Sequence, residues 1–128
     1  MNENPKISII MPVFNAANFI QGCIDSILKQ TLKDWELIII NDGSTDNTLN
    51  ILQLLVDSRI SINTNNHDFI ASLNKGLSLS KGKYIVRMDA DDIMLSERLQ
   101  TQYDYMESNP EIDICGSFSL LNFSSYLR

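Results

Sequence analysis

The sequence predicts an α/β domain with a mainly parallel sheet flanked by helices. Short apolar runs of strand length alternate with longer segments whose apolar residues recur at helical spacing. The strand-like runs are almost continuous in isoleucine, leucine and valine, the pattern of strands buried on both faces of a parallel sheet. Polar clusters fall at the carboxyl ends of these strands, the edge where open α/β sheets bind ligands.

Ile7-Ser8-Ile9-Ile10-Met11 reads as the first strand, ending at Pro12. A helix from Ala17 to Lys29 places Ile20, Ile24, Ile27 and Leu28 on one face. Trp35 to Ile40 is the second strand, closed by the turn signal Asn41-Asp42-Gly43-Ser44. Asp46 can cap a helix carrying Leu49, Leu52, Leu55 and Val56. Ile60-Ser61-Ile62 is a short third strand. Phe69 to Ser80 reads as a helix with Ile70, Leu73 and Leu77 on one side, closed by Gly82. Tyr84 to Met88 is the fourth strand. Ser96 can cap a last helix carrying Leu99, Tyr103 and Met106, which ends before Asn109-Pro110. Ile112 to Phe118 is a fifth strand candidate, and Ser119 to Arg128 is a tail without a readable period.

The 128 residues suffice for a single domain with its own core. The net charge of −6 and a pI of about 4.5 argue against a nucleic-acid partner, which needs a basic face. Cys23 and Cys115 lie far apart among apolar residues and read as buried thiols; with His67 the only histidine, a zinc site is not expected. No apolar run reaches membrane-spanning length. The expected setting is the cytoplasm, with peripheral attachment to the inner face of a membrane as a variant of it.

The densest chemistry is Asp89-Ala90-Asp91-Asp92, directly after the fourth strand. Three carboxylates in four residues repel one another, and a divalent cation with oxygen ligands removes the conflict. A cation held there could carry the phosphates of a nucleotide. The competing reading is a turn cap at Asp91 or Asp92; the match of polar clusters to strand ends favours the metal. Neither GxGxxG nor GxxxxGK[ST] is present, so phosphate would be met through the metal. Asp42 suggests a base reader, because a carboxylate accepts from the N3–H of uracil. Its alternative role is a turn residue ahead of Gly43.

Four ordered motifs carry a family likeness. They are Pro12-Val13-Phe14-Asn15, then Leu37 to Thr48 (LIIINDGSTDNT), then Asn74-Lys75-Gly76 with Lys81 to Ile85, and Arg87-Met88-Asp89-Ala90-Asp91-Asp92. Ser96 to Leu99 and Ile112 to Ser117 continue it. Over residues 7 to about 118 the chain resembles the inverting family-2 glycosyltransferases, whose Rossmann-like fold is called GT-A. The resemblance implies transfer of a sugar from a UDP-sugar to an acceptor hydroxyl, in cell-surface polysaccharide synthesis. It implies nucleotide-sugar contacts from Pro12, Val13, Asn15, Asp42 and Asp89, with Asp91 and Asp89 at a Mn²⁺ or Mg²⁺ ion. The residues alone leave Val13 open as a core residue and Asn15 as a helix cap.

The chain also departs from that pattern. Leu73 stands where many members carry arginine, and the usual glycine after Asn65-Asn66 is missing. Lys75 and Arg87 are expected in surface or structural roles. Complete members continue well past the acidic motif, and nothing from Ser119 to Arg128 matches that continuation. Residues 1–128 therefore read as one C-terminally truncated donor-binding domain, incomplete as a GT-A fold. The general base is expected beyond Arg128, and the saccharide or lipid-linked acceptor is not specified. The face left by the missing half could support self-association. The alternative function is a non-catalytic nucleotide-binding fragment. An aspartate-nucleophile phosphatase would place its Asp-x-Asp after the first strand, and a nucleotidyltransferase would need a glycine-rich basic loop there.

Overall fold

The computed structural model describes residues 4–117. The elements are β1 (Ile7–Val13), α1 (Ile20–Leu28), β2 (Trp35–Asn41), α2 (Thr48–Leu52), β3 (Ile60–Thr64), α3 (Phe69–Leu79), β4 (Tyr84–Arg87) and α4 (Arg98–Ser108). The strands form one all-parallel sheet in the order β3-β2-β1-β4. The α/β architecture is the one expected. Successive strands step outward from β1 to β3, and the chain then returns to add β4 on the other side of β1. That reversal makes a topological switch point between β1 and β4, where such sheets open a crevice for ligands.

Both faces of the central strands β1 and β2 are covered, which is why these two are almost continuously apolar; the edge strands β3 and β4 carry polar residues and are only partly buried. Ile9 and Met11 of β1 and Leu37 and Ile39 of β2 pack with Ile20, Ile24 and Ile27 of α1 and with Leu99 of α4. Each such fully buried side chain contributes roughly 1.5–3 kcal/mol. The opposite face is covered by α3, which lies on β1 and β2. There the expected apolar stripe is corrected. Ile70 and Leu77 are 70% and 52% exposed, while Ser72 and Gly76 are buried. These small residues, one helical turn apart, let the α3 backbone approach the sheet, and a Cβ on Gly76 would collide with Ile10 Cγ2. The larger side chains are left on the flank.

Pro12 does not end β1, which runs on to Val13. Ile10 O accepts from Met88 N, and Val13 O accepts from Asp42 N. Alternation therefore turns Pro12 toward β4, whose pairing with β1 has already stopped at Ile10. The missing proline donor falls where no ladder partner exists. Helix α1 starts at Ile20 rather than Ala17, because Phe19 N and Ile20 N both turn back to Ala16 O. Helix α2 stops at Leu52, so Val56 is 97% exposed instead of facing the core. Ser96 does not cap α4, whose N-cap residue is Glu97 without a side-chain cap. The carbonyl of Ser96 instead accepts from Thr31 N.

No fifth strand forms over residues 112–117, and Phe118 lies outside the described residues. A strand needs a ladder partner, and residues 113–115 line a groove of about 590 Å³ beside β4 without pairing with it. Ile114 is left 87% exposed. The tail from Ser119 to Arg128 also lies outside the described residues.

Candidate functional site

The carboxyl edge of the sheet is built from the loops that follow β1, β2 and β4. Asn15 joins the first two. Its backbone has φ +48°, a left-handed conformation that asparagine tolerates better than most residues. In that pose Asn15 Oδ1 accepts from Thr45 N at 2.7 Å and Asp46 N at 3.2 Å, while Asn15 N donates to Ser44 Oγ at 3.0 Å. Asp46 works in both directions. Its carboxylate accepts from Thr48 N and Thr48 Oγ1 at the start of α2 and from Ala17 N across the gap. Donation by the Thr48 hydroxyl, helped by the backbone N–H groups, holds the Asp46 carboxyl below its ordinary value. Thr48 Oγ1 also accepts from Ala16 N, so the loops after β1 and β2 form one hydrogen-bonded unit.

Asp42 sits at the head of this unit, 4% exposed. Both hydrogen bonds it accepts from side chain or backbone donors converge on Oδ1, from Asp68 N at 2.8 Å and Ser72 Oγ at 3.0 Å. They fasten the start of α3 to the end of β2. Asp68 is in turn the N-cap of α3, accepting from Ala71 N. Among the described residues the other oxygen, Oδ2, has no such partner. Pro12 is half-buried beside this loop, and the Val13 side chain lies in the core. Val13 can thus meet a ligand only through its backbone.

The acidic turn lies on the other side of β1. Asp89, Asp91 and Asp92 are exposed, while Met88, Ala90 and Met94 alternate into the core. Asp92 N donates to Asp89 O and closes the turn. Asp89 Oδ1 pairs with Arg87 Nη2 at 3.3 Å, and the Arg87 guanidinium lies 5.2 Å from the Phe69 ring centre. Burial, with Asp91 and Asp89 adding to it, raises the Asp92 carboxyl above its ordinary value, against the pull of Arg98. Beneath the turn, the Cys23 thiol donates to Asp89 O at 3.5 Å. Burial first, then the three carboxylates, push that thiol up to about 12.

Among the described residues no three His, Cys, Asp or Glu side chains gather as a metal cage. The donor set of Asp89 and Asp91 is still hard oxygen. Mg²⁺-like sites commonly use one or two carboxylates and complete their shell with water and phosphate, and these residues fit that pattern. They do not fit a cation held by protein alone.

Two supporting residues were not visible as such in the sequence. Gln30, fully buried, donates from Nε2 to Leu95 O at 2.7 Å and accepts at Oε1 from Leu99 N at 3.1 Å. It thereby satisfies an otherwise orphan N–H at the start of α4. Ser26 Oγ accepts from Met94 N at 2.9 Å. They tether the segment after the acidic turn to α1, through Ser26, and to the residues just after it, through Gln30. The cations fill structural roles, as expected: Lys75 Nζ donates to Thr64 O at the end of β3, and Arg87 makes the contacts above. Glu107 lies near the start of β4, at the opposite edge from Asp89, and bridges Lys83 Nζ and Tyr84 Oη.

Comparison with known proteins identifies the family and the fold. Residues 8–125 match the pattern of glycosyl transferase family 2. An uncharacterised glycosyltransferase of Haemophilus influenzae is 43% identical over 122 residues, which cover 92% of this chain and 38% of that protein. The crystal structure of residues 1–349 of TarS from S. aureus, in complex with UDP-GlcNAc, superposes with a TM-score of 0.74 at 23% identity. The match covers 82% of this chain and 32% of that one. A mannosyltransferase of Pyrobaculum calidifontis in complex with GDP-Man and Mn²⁺ gives a TM-score of 0.64 at 23% identity, over 71% of this chain and 29% of its own. This chain thus spans less than half the length of the relatives it matches, and its fold is that of the corresponding part of GT-A glycosyltransferases. By sequence pattern, by identity to curated relatives and by fold, the chain belongs to glycosyl transferase family 2.

Proposed function

We propose that this chain forms the donor-binding part of an inverting glycosyltransferase that takes a UDP-sugar with Mn²⁺ or Mg²⁺. The observation that carries the reading is the division of labour at Asp42. Its buried carboxylate commits Oδ1 to Asp68 and Ser72 and leaves Oδ2 to a ligand. Uracil N3–H is a donor suited to it, where cytosine would present an acceptor. Pro12 and the Val13 backbone border the nucleoside, and Asn15 holds the two loops that frame it. By sheet spacing β4 lies about 10 Å across the sheet from β2, since one strand separates them, and β4 ends level with Ile38, three residues before the end of β2. That offset suits a nucleotide laid across the switch point, base at Asp42 and diphosphate at Asp89 and Asp91.

In this reading Asp91 ligates the cation on the diphosphate, and Asp89 reaches the ribose or a water in the cation's shell. A divalent cation there would neutralise charge developing on the departing nucleoside diphosphate. The UDP-GlcNAc bound to TarS and the GDP-Man and Mn²⁺ bound to the mannosyltransferase support the ligand class. Attack by an acceptor hydroxyl, of a saccharide or of a lipid-linked sugar, needs a proton acceptor. Glu107 is unsuited, being tied to Lys83 and Tyr84 at the far edge, where the Lys83 ammonium first and the Tyr84 hydroxyl second hold its carboxyl below the ordinary value. We assign that base to the part of such transferases that this chain does not span. The setting proposed is cell-surface polysaccharide synthesis at the cytoplasmic side of a membrane; no helix among the described residues is long and apolar enough to cross one.

The test is calorimetric titration of the chain with UDP, with Mn²⁺ and then with a chelator. Binding that weakens on chelation supports the reading, and metal-independent binding removes the cation from it. Asp91→Ala is expected to lose the metal-dependent part alone. UDP release from a UDP-sugar, with and without saccharide acceptors, separates a donor-binding part from a complete transferase.

A further inference from the structure

His67 has φ +51°, in the left-handed region that favours glycine. Glycine is also what the family resemblance leads one to expect after Asn65-Asn66. The backbone takes a glycine-like path here while carrying a side chain. The imidazole lies against Phe14, with ring centres 4.3 Å apart and planes inclined by 38°. Gly43, at φ +80°, lies against the His67 backbone and Cβ: an added Cβ there would meet His67 N at 3.4 Å and His67 Cβ at 3.5 Å. The next residue, Asp68, donates its N–H to Asp42 Oδ1. His67 is exposed, with its ring against Phe14 and its backbone against Gly43, one residue from the Asp68 N–H that binds the carboxylate proposed to read the base.

That carboxylate cannot choose its base unaided. Asp42 Oδ2 offers one acceptor, and guanine presents donors at N1 and at its amino group just as uracil presents one at N3. Discrimination between them has to come from shape. We propose that His67, packed on Phe14, is a specificity-determining wall that admits a single-ring base beside Asp42 and shuts out a purine. The proposal rests on Asp42 as the base reader.

The experiment compares UDP with GDP by calorimetry in the presence of Mn²⁺, on the whole chain, for wild type, His67→Gly and His67→Asn. Glycine and asparagine both accept the positive φ, so either variant removes the ring while keeping the backbone; thermal melts verify the fold. Wild type is expected to prefer UDP. Both variants should narrow the ratio by about tenfold, the size of effect one steric element provides. The change should come from tighter GDP binding, with UDP little altered. An unchanged ratio in both variants overturns the proposal. So does a loss of UDP affinity without a gain for GDP, which would make the ring a stacking platform instead of a barrier. Equal binding of UDP and GDP by wild type also overturns it, while leaving Asp42 as base reader. Failure of wild type to bind either nucleotide removes the base-reading role, and the wall falls with it.

Discussion

Asp42→Asn separates ligand recognition from structural support at a single buried position. An asparagine there must keep its carbonyl oxygen toward Asp68 N, because the amide NH₂ in that place would confront a donor at 2.8 Å. The NH₂ group is then forced into the position of Oδ2. Two donors face each other once uracil N3–H arrives. The loss is one charge-assisted hydrogen bond, roughly 1.5–3 kcal/mol. At 1.4 kcal/mol per decade this weakens UDP binding about 10- to 150-fold. The fold suffers less. Bonds from Asp68 N and Ser72 Oγ persist but lose their charge assistance, a cost of about 1–2 kcal/mol, or a few degrees in Tm. Asp42→Ala would be a poorer probe, since it strands both donors and confounds folding with binding. The assay pairs calorimetric titration of UDP with a thermal melt. A steep fall in Tm with unchanged affinity would make Asp42 a strut for α3 and refute the base-reading role.

Other expected outcomes follow from the same geometry. Asp91→Ala should remove about 1–3 kcal/mol of UDP affinity in Mn²⁺ and nothing in chelator, as read by parallel titrations. Gly76→Ala should destabilise by about 1–3 kcal/mol or more, because the new methyl meets the buried Ile10 side chain; a denaturant midpoint at the wild-type value would show that α3 can shift away. Native protein treated with iodoacetamide near pH 8 should be alkylated at Cys115 and not at buried Cys23; mass spectrometry of the digest reads the site. The Cys23 thiol also sets a sign for alkaline stability. Its folded pKa, about 12, lies above the ordinary 9.0, so the neutral thiol's contribution is complete below about pH 9 and is lost as pH rises toward 12. Denaturation midpoints for wild type and Cys23→Ala should converge over that window.

The strands were legible because burial on both faces leaves uninterrupted apolar runs, and Ile7 to Met11 and Trp35 to Ile40 lie where expected. The site's location was legible for a related reason. In a parallel sheet every strand-to-helix loop opens at one edge, so Asp42 and Asp89 had to share it. The face of α3 was not legible, because periodicity weights large side chains and packing selected Ser72 and Gly76. Contacts made across long sequence separations were equally hidden. Asn15 carries no sign that it will meet Thr45 and Asp46, and Gln30 none that it will serve Leu95 and Leu99. The strand expected at residues 112–117 failed because alternation in the sequence cannot supply a ladder partner. His67 is intermediate: the missing glycine could be read from the sequence, but not the ring that the imidazole would meet.

The tethering by Ser26 and Gln30 bears on the entropy of ligand capture. The acidic turn is held at its start by Met88 N on Ile10 O and at its end by Met94 N on Ser26 Oγ. Only residues 89–93 lie between these points, and the bond from Asp92 N to Asp89 O, with the Cys23 thiol on Asp89 O, already folds them. Ordering a free residue costs about 1–2 kcal/mol of backbone entropy. A segment this short and this constrained has surrendered most of that freedom on folding, so a ligand reaching Asp89 and Asp91 need immobilise little beyond their side chains. Ser26 of α1 and Gln30 just after it thus set how ready the carboxylates are to receive one.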